Sequence, residues 1–252
     1  MDGKHIFHQW VDEIPQDQWA VYRSVIQAAH AAGLRFALGG AFSVATYTGR
    51  WRNTKDLDFY VLPQDRQHMI ETVHSTGMRD YYEKLPYDRS WIYRLYRADG
   101  LDNDSIVDVI WAMANQRAQV DEIWLTHGAE ISVHGELLRV IPLEELVWAK
   151  LYILQPERCD WPDIFNLLFP AGPYLDWERL LARLGEDLPL LGALLTVFTW
   201  LSPSRAGQFP NWIWDRLQLP QPETDPSPQL MQSRASLLDT RPWFYPLINE
   251  DK

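Results

Sequence analysis

The sequence predicts an α+β fold in two parts: helices and strands alternating over residues 1–141, then a helical C-terminal domain over residues 142–252. Three observations carry this. Up to Ile141 the apolar spacing switches between the helical period and the strand period. After Pro142 only the helical period continues, and Gly or Pro marks most of the changes between segments.

The elements follow in order. Gln16 to Ala32 places Trp19, Tyr22, Val25, Ile26 and Ala29 on one helical face, and Gly33 ends it. Leu34 to Leu38 reads as a short strand running into Gly39-Gly40, and Ala41 to Tyr47 as a helix opening on that turn. Asp56 to Leu62 is a strand stopped by Pro63, and Gln64 to Thr76 is a helix closed by Gly77. Trp91 to Arg97 and Ser105 to Trp111 alternate as strands around the acidic turn Asp99 to Asp104. Ile131 to Val133 and Leu137 to Ile141 bracket His134-Gly135, a tight hairpin. Helices are predicted over Leu143 to Leu154, Trp161 to Phe169, Trp177 to Leu184 and Leu188 to Leu201. The proline-rich stretch Leu219 to Pro228 is an irregular crossing.

Composition narrows the classes. With 46% hydrophobic and 23% charged residues in 252, the chain has the balance of a globular protein with one large or two modest cores. Its single cysteine, Cys159, rules out an internal disulfide framework and fits a reducing cytoplasm. No apolar run is expected to reach the roughly 20 residues of a membrane span, so no membrane partner is expected. The thirteen tryptophans are expected to fill a core or a domain seam. A formal charge of −11 disfavours extended nucleic-acid binding, which relies on phosphate neutralisation. Basic residues gather locally at Arg50, Arg52 and Lys55, and again at Arg89, Arg94 and Arg97, enough to dock a short nucleic-acid end.

The chemistry concentrates in Lys55-Asp-Leu-Asp-Phe-Tyr-Val-Leu62. A strand sends alternate side chains to one face, so Asp56 and Asp58 point the same way. Two like charges that close repel unless a cation joins them. A hard divalent ion with oxygen ligands, Mg²⁺ above all, resolves this. Gly39-Gly40 just upstream offers backbone N–H groups to a phosphate, and any side chain there would obstruct it. Gly40→Val is accordingly expected to abolish nucleotide binding with the fold largely intact. Asp108 lies alone among apolar strand residues in Ser105-Ile-Val-Asp-Val-Ile-Trp111, where an unpaired charge is costly. If its strand neighbours that of Asp56, three acids meet and can hold two ions for phosphoryl chemistry. A phosphate cradle beside metal carboxylates points to an enzyme handling a nucleoside triphosphate.

Gly39-Gly40-Ala41, Arg52-x-Thr54-x-Asp56-Leu-Asp58 and the lone strand Asp108 together resemble the DNA polymerase β-like nucleotidyltransferase superfamily. Within it the sequence is similar to the AbiEii-type branch, several members of which are toxins of toxin–antitoxin systems. Lys150, Arg158, Asp160 and Asp163 stand where that branch carries a later lysine and an Arg-Asp-x-x-Asp-like element. The resemblance covers about residues 20 to 170, and its pieces are specific only in combination. It departs in the 15 residues between Gly40 and Asp56, in Ser43 displaced from the usual Gly-Ser position, and in Cys159 between Arg158 and Asp160.

The resemblance implies a mixed sheet with flanking helices and Mg²⁺-dependent transfer of a nucleoside monophosphate from a triphosphate, ATP or GTP, to an acceptor hydroxyl. It implies Asp56, Asp58 and Asp108 as catalytic and metal residues, with Asp108 helping to deprotonate the acceptor. Gly39, Gly40, Ser43 and Lys150 are implied as nucleotide-binding residues. The acceptor stays open between a tRNA end, a small molecule of aminoglycoside type and a protein, with an antitoxin as a further partner. A non-catalytic nucleotide-binding regulatory module is the alternative outside enzymology. Lys150 on an apolar helix equally fits an ammonium that snorkels to solvent, and Asp163 fits a brace for its helix.

Overall fold

The structure, a computed structural model, describes residues 8–97, 105–223 and 227–238. The acidic turn Asp99 to Asp104 lies outside the described residues. Two compact units divide between Pro142 and Leu143.

The first unit is built on a five-stranded mixed sheet. Its strands are β1 (Ala37–Leu38), β2 (Asp56–Tyr60), β3 (Arg79–Asp80), β4 (Ile92–Arg97) and β5 (Ser105–Ile110), in the order β1-β2-β5-β4-β3. Only β2 and β5 run parallel; every other neighbouring pair is antiparallel. A parallel pair needs a crossover. Here the chain between β2 and β5 supplies helix α3 (Arg66–Ser75), the edge strand β3 and then β4. Alternation divides the residues between two faces. Leu57, Phe59, Leu95, Val107 and Val109 are fully buried, on the face that meets α1 (Gln16–Ala31) and α3. The opposite face carries Asp56, Asp58, Arg94 and Asp108.

Helix α2 (Gly40–Thr48) starts directly from β1 and ends on Gly49 in the left-handed conformation. It is apolar almost all round and is held by aromatic packing. Trp10 stacks on Trp51 with ring centroids 5.4 Å apart, and Phe42 meets both edge-on. Tyr47 donates its hydroxyl to the Ile141 carbonyl at 3.0 Å. A short α4 (Glu122–Thr126) and the hairpin β6 (Glu130–Val133) and β7 (Glu136–Arg139) complete the unit. His134 and Gly135 both have positive φ, at 46° and 88°, as a two-residue primed turn requires.

The second unit is helical: α5 (Leu143–Leu151), α6 (Trp161–Ala171), α7 (Trp177–Leu184), α8 (Leu188–Leu201), α9 (Pro203–Ala206), α10 (Asn211–Arg216) and α11 (Pro228–Leu238). Its core contains an ionic cluster. Glu144 and Glu145 are wholly buried and pair with Arg179 and Arg183 of α7, and Glu144 also accepts from the Asp176 amide at 2.9 Å. Helices α7 and α8 together form one run, Trp177–Leu201, of 25 residues. By length and composition it is apolar enough to cross a membrane, contrary to the expectation from sequence. Gly185 at φ 54° breaks the run, which carries charges at Glu178, Arg179, Arg183, Glu186 and Asp187. Its Leu180, Leu184, Leu191, Leu194, Leu195 and Phe198 are buried in the unit. These features belong to a pair of core helices.

Candidate active site

The register of β2 and β5 decides how the acids meet. Asp58 is paired directly with Asp108, and Asp56 lies two residues back on the same face of β2. On the other side of β5, Asp108 is paired with Arg94 of β4. One row across the sheet therefore reads Asp58, Asp108, Arg94. Strand alternation and this register together bring the three acids onto one face.

Arg94, expected only as part of a basic patch for a nucleic-acid end, is instead the partner of Asp108. It forks onto Asp108, Nε donating to Oδ1 at 2.8 Å and Nη2 to Oδ2 at 2.6 Å. The same Nη2 lies 3.6 Å from Asp56 Oδ2. This answers how an acid survives inside an apolar strand: the Asp108 side chain is 2% exposed, and a charge so buried needs a close counter-charge. Burial pushes the Asp108 carboxyl upward, against the pull of Arg94, and the Asp56 charge adds to the rise. The Arg94 guanidinium is held still more firmly protonated by its bond to Asp108, with the charges of Asp56 and Asp58 contributing. Tyr22 of α1 feels all three acids as well: burial first, then their charges, push its hydroxyl well above the usual tyrosine value. The signal for Arg94 was present in the sequence, since a buried strand acid calls for a cation on the next strand.

The glycine turn is built around these acids. The Gly39 amide donates to the Asp58 carbonyl at 3.0 Å, so it is spent within the turn rather than offered to a phosphate. A Cβ at Gly39 would overlap the Tyr60 ring. Gly40 has φ 49°, in the left-handed region, and a Cβ there would overlap Asp58 Oδ2. The Asp58 carboxylate thus lies against the first residue of α2, where the helix dipole favours an anion. The first-turn amides of Gly40, Ala41 and Phe42 have no acceptor within the helix. Replacing Gly40 would strain the turn and push on Asp58 directly, which corrects the expectation that Gly40→Val leaves the fold largely intact.

Two of the implied phosphate contacts are used otherwise. Ser43 is wholly buried and its hydroxyl donates to the Leu38 carbonyl at 2.7 Å, locking the turn from inside. Lys150 is buried in the second unit and donates to Asp160 at 2.6 Å and Asp163 at 2.8 Å. Arg158 joins the cluster through Asp160. The four residues of the later motif do meet, and Lys150 has its charge balanced within that cluster.

Asp56 and Asp58 present oxygen donors one residue apart on a partly exposed strand, which fits a hard divalent ion. Among the described residues, no group of three or more His, Cys, Asp or Glu side chains is disposed to hold a metal. Both Asp108 oxygens accept from Arg94.

No family model matches this chain. No curated protein matches it either. Among solved structures it is similar to the antibiotic-resistance factor ANT(2'')-Ia at 18% identity, covering 71% of this chain and 96% of that one, with a TM-score of 0.48. It is also similar to the lincosamide antibiotic adenylyltransferase LnuA, at 17% identity over 61% of this chain and 96% of that one, TM-score 0.42. JHP933 from Helicobacter pylori is 14% identical, covering 89% of this chain and 93% of that one, TM-score 0.42.

Beyond the acids, β4 and the 3-10 turn Tyr81–Glu83 carry an aromatic and cationic edge. Arg94 lies over Tyr81 and Lys84 over Tyr96, which shares the face of Asp108. Arg89 lies over Tyr82, 4.1 Å from the ring centroid. These pairs are held by the attraction between a cation and a ring face.

Proposed function

We propose that this protein is a Mg²⁺-dependent nucleotidyltransferase that moves a nucleoside monophosphate from a triphosphate to an acceptor hydroxyl. The observation that carries the reading is the paired register of Asp58 and Asp108, with Asp56 on the same face and the Gly39–Gly40 turn against Asp58. Asp56 and Asp58 would hold Mg²⁺, and Asp108 joins them through Arg94. When bound, Mg²⁺ would polarise the reacting phosphate and offset its growing charge. The first-turn amides of α2 would receive phosphate oxygens beside it. Assignment to the AbiEii-type branch, and with it an antitoxin partner, rests on the sequence motif and its assembled Lys150, Arg158, Asp160 and Asp163 cluster.

For the acceptor we favour a nucleic-acid end. The edge beside Asp108 presents Tyr96 under Lys84 and Tyr81 under Arg94, which suits a stacked base and its phosphate.

The test is incubation of the protein with each α-labelled triphosphate and a cell extract, with Mg²⁺ or with chelator. Label in an RNA fraction that requires Mg²⁺ and disappears in Asp58→Asn supports the reading. Label in a small-molecule fraction would replace the acceptor. No transfer, together with retained nucleotide binding, would make the protein a regulatory module.

A further inference from the structure

We propose that Arg94 stands in the place of a second divalent cation, so that the site loads a single Mg²⁺ on Asp56 and Asp58. The inference rests on the nucleotidyltransferase reading above. A second ion would bridge Asp108 to the acids of β2, and Arg94 already does this. Its fork takes both Asp108 oxygens at 2.8 and 2.6 Å, while Nη2 reaches to 3.6 Å from Asp56. The bidentate fork is the strongest form of such a bond. The Asp108 side chain is 2% exposed, so an incoming ion would have to be stripped of water to reach it. Mg²⁺ sheds its water reluctantly and ordinarily takes one or two carboxylates plus substrate phosphates. Asp56 and Asp58 meet that need unaided. The guanidinium is a permanent charge, so the place is filled whatever the metal supply. Arg94 is on this view a positioning residue that balances the charge of Asp108.

The test counts Mn²⁺ ions per full-length chain by electron paramagnetic resonance, with a non-hydrolysable triphosphate present. Wild type and Arg94→Lys are expected to bind one ion each. Arg94→Ala is expected to bind two, because an ion enters the place the guanidinium leaves. Its melting temperature should fall below wild type in chelator and recover with Mn²⁺ by more than the wild type gains. Arg94→Gln, which keeps hydrogen-bond donors without the charge, repeats the count should Arg94→Ala fail to fold. Two ions in wild type would overturn the inference and leave the nucleotidyltransferase reading standing. One ion in the neutral variants, with no extra recovery of the melt, would reduce Arg94 to a structural partner and overturn it too. No ion in any protein would overturn both readings.

Discussion

The Asp58 carboxylate and the Cα of Gly40 are in contact, so the two residues act as a pair. Gly40→Ala is expected to cost about 1–3 kcal/mol, the strain of a side chain in the left-handed region. Because the new methyl displaces Asp58, it should also weaken Mn²⁺ binding, which a denaturant melt and an ion titration would check on one sample. Full ion affinity in the variant would mean that Asp58 is not a ligand. Asp58→Asn changes shape little and removes a ligand charge. It should lower nucleotide transfer by about 100-fold or more, while the metal-free protein melts at the same temperature or higher as carboxylate repulsion is relieved. Unimpaired transfer would place the active site elsewhere. Much of this site could be read from sequence because strand alternation and one isolated acid carry direct geometric meaning. Arg94 could not be placed as surely, since its role depends on which strand lies beside β5. The use of the Ser43 hydroxyl was equally hidden: whether it faces a phosphate or the Leu38 carbonyl is decided by one rotamer.

At the level of elements, helix α6 is tied to α5 by the Lys150, Asp160 and Asp163 bonds. Burial pushes the Asp160 carboxyl up, but the bond from Arg158 and the charge and bond of Lys150 outweigh it and hold it below the usual carboxylate value. A carboxyl held low in the folded chain contributes stability that is complete above its unfolded pKa of about 3.9 and is lost as pH falls through the folded value. Melting temperature should therefore drop below about pH 4, and Asp160→Asn should flatten that part of the profile. An unchanged acid limb in Asp160→Asn would remove this pair from the account. The long helices were legible because their apolar stripes are long: α7 and α8 occupy the expected residues, and α1 matches to within one residue. Shorter pieces were not. β1 covers two residues where five were expected, and β3, α4 and α10 carry too few residues to show a period. The buried Glu144 and Glu145 had no signal either, because acids opening a helix are ordinarily solvated.

The whole molecule carries a formal charge of −11, which limits how any nucleic acid can be held. Each phosphate neutralised on a single strand contributes a slope of about −0.7 to the dependence of log affinity on log salt. An acceptor RNA gripped only at its end should show a total slope of roughly −1.4 to −2.1, for two or three phosphates. Fluorescence anisotropy across a salt series would measure it. A slope several times steeper would mean that a long tract is bound, against the net charge.

The insertion of β5 between β2 and β4 has a consequence for the order of folding. Strands β3, β4 and β5 are consecutive antiparallel neighbours, whereas β2 joins β5 only across the intervening crossover. Local pairings close more cheaply than distant ones. The Arg94–Asp108 pair should thus form within an early meander, and Asp56 and Asp58 should dock later. An ion that needs both β2 acids in place would then be captured after the rate-limiting step. Saturating Mg²⁺ is expected to slow unfolding measured by stopped-flow tryptophan fluorescence while leaving the refolding rate nearly unchanged. Faster refolding with the metal would mean that β2 is already seated when the barrier is crossed.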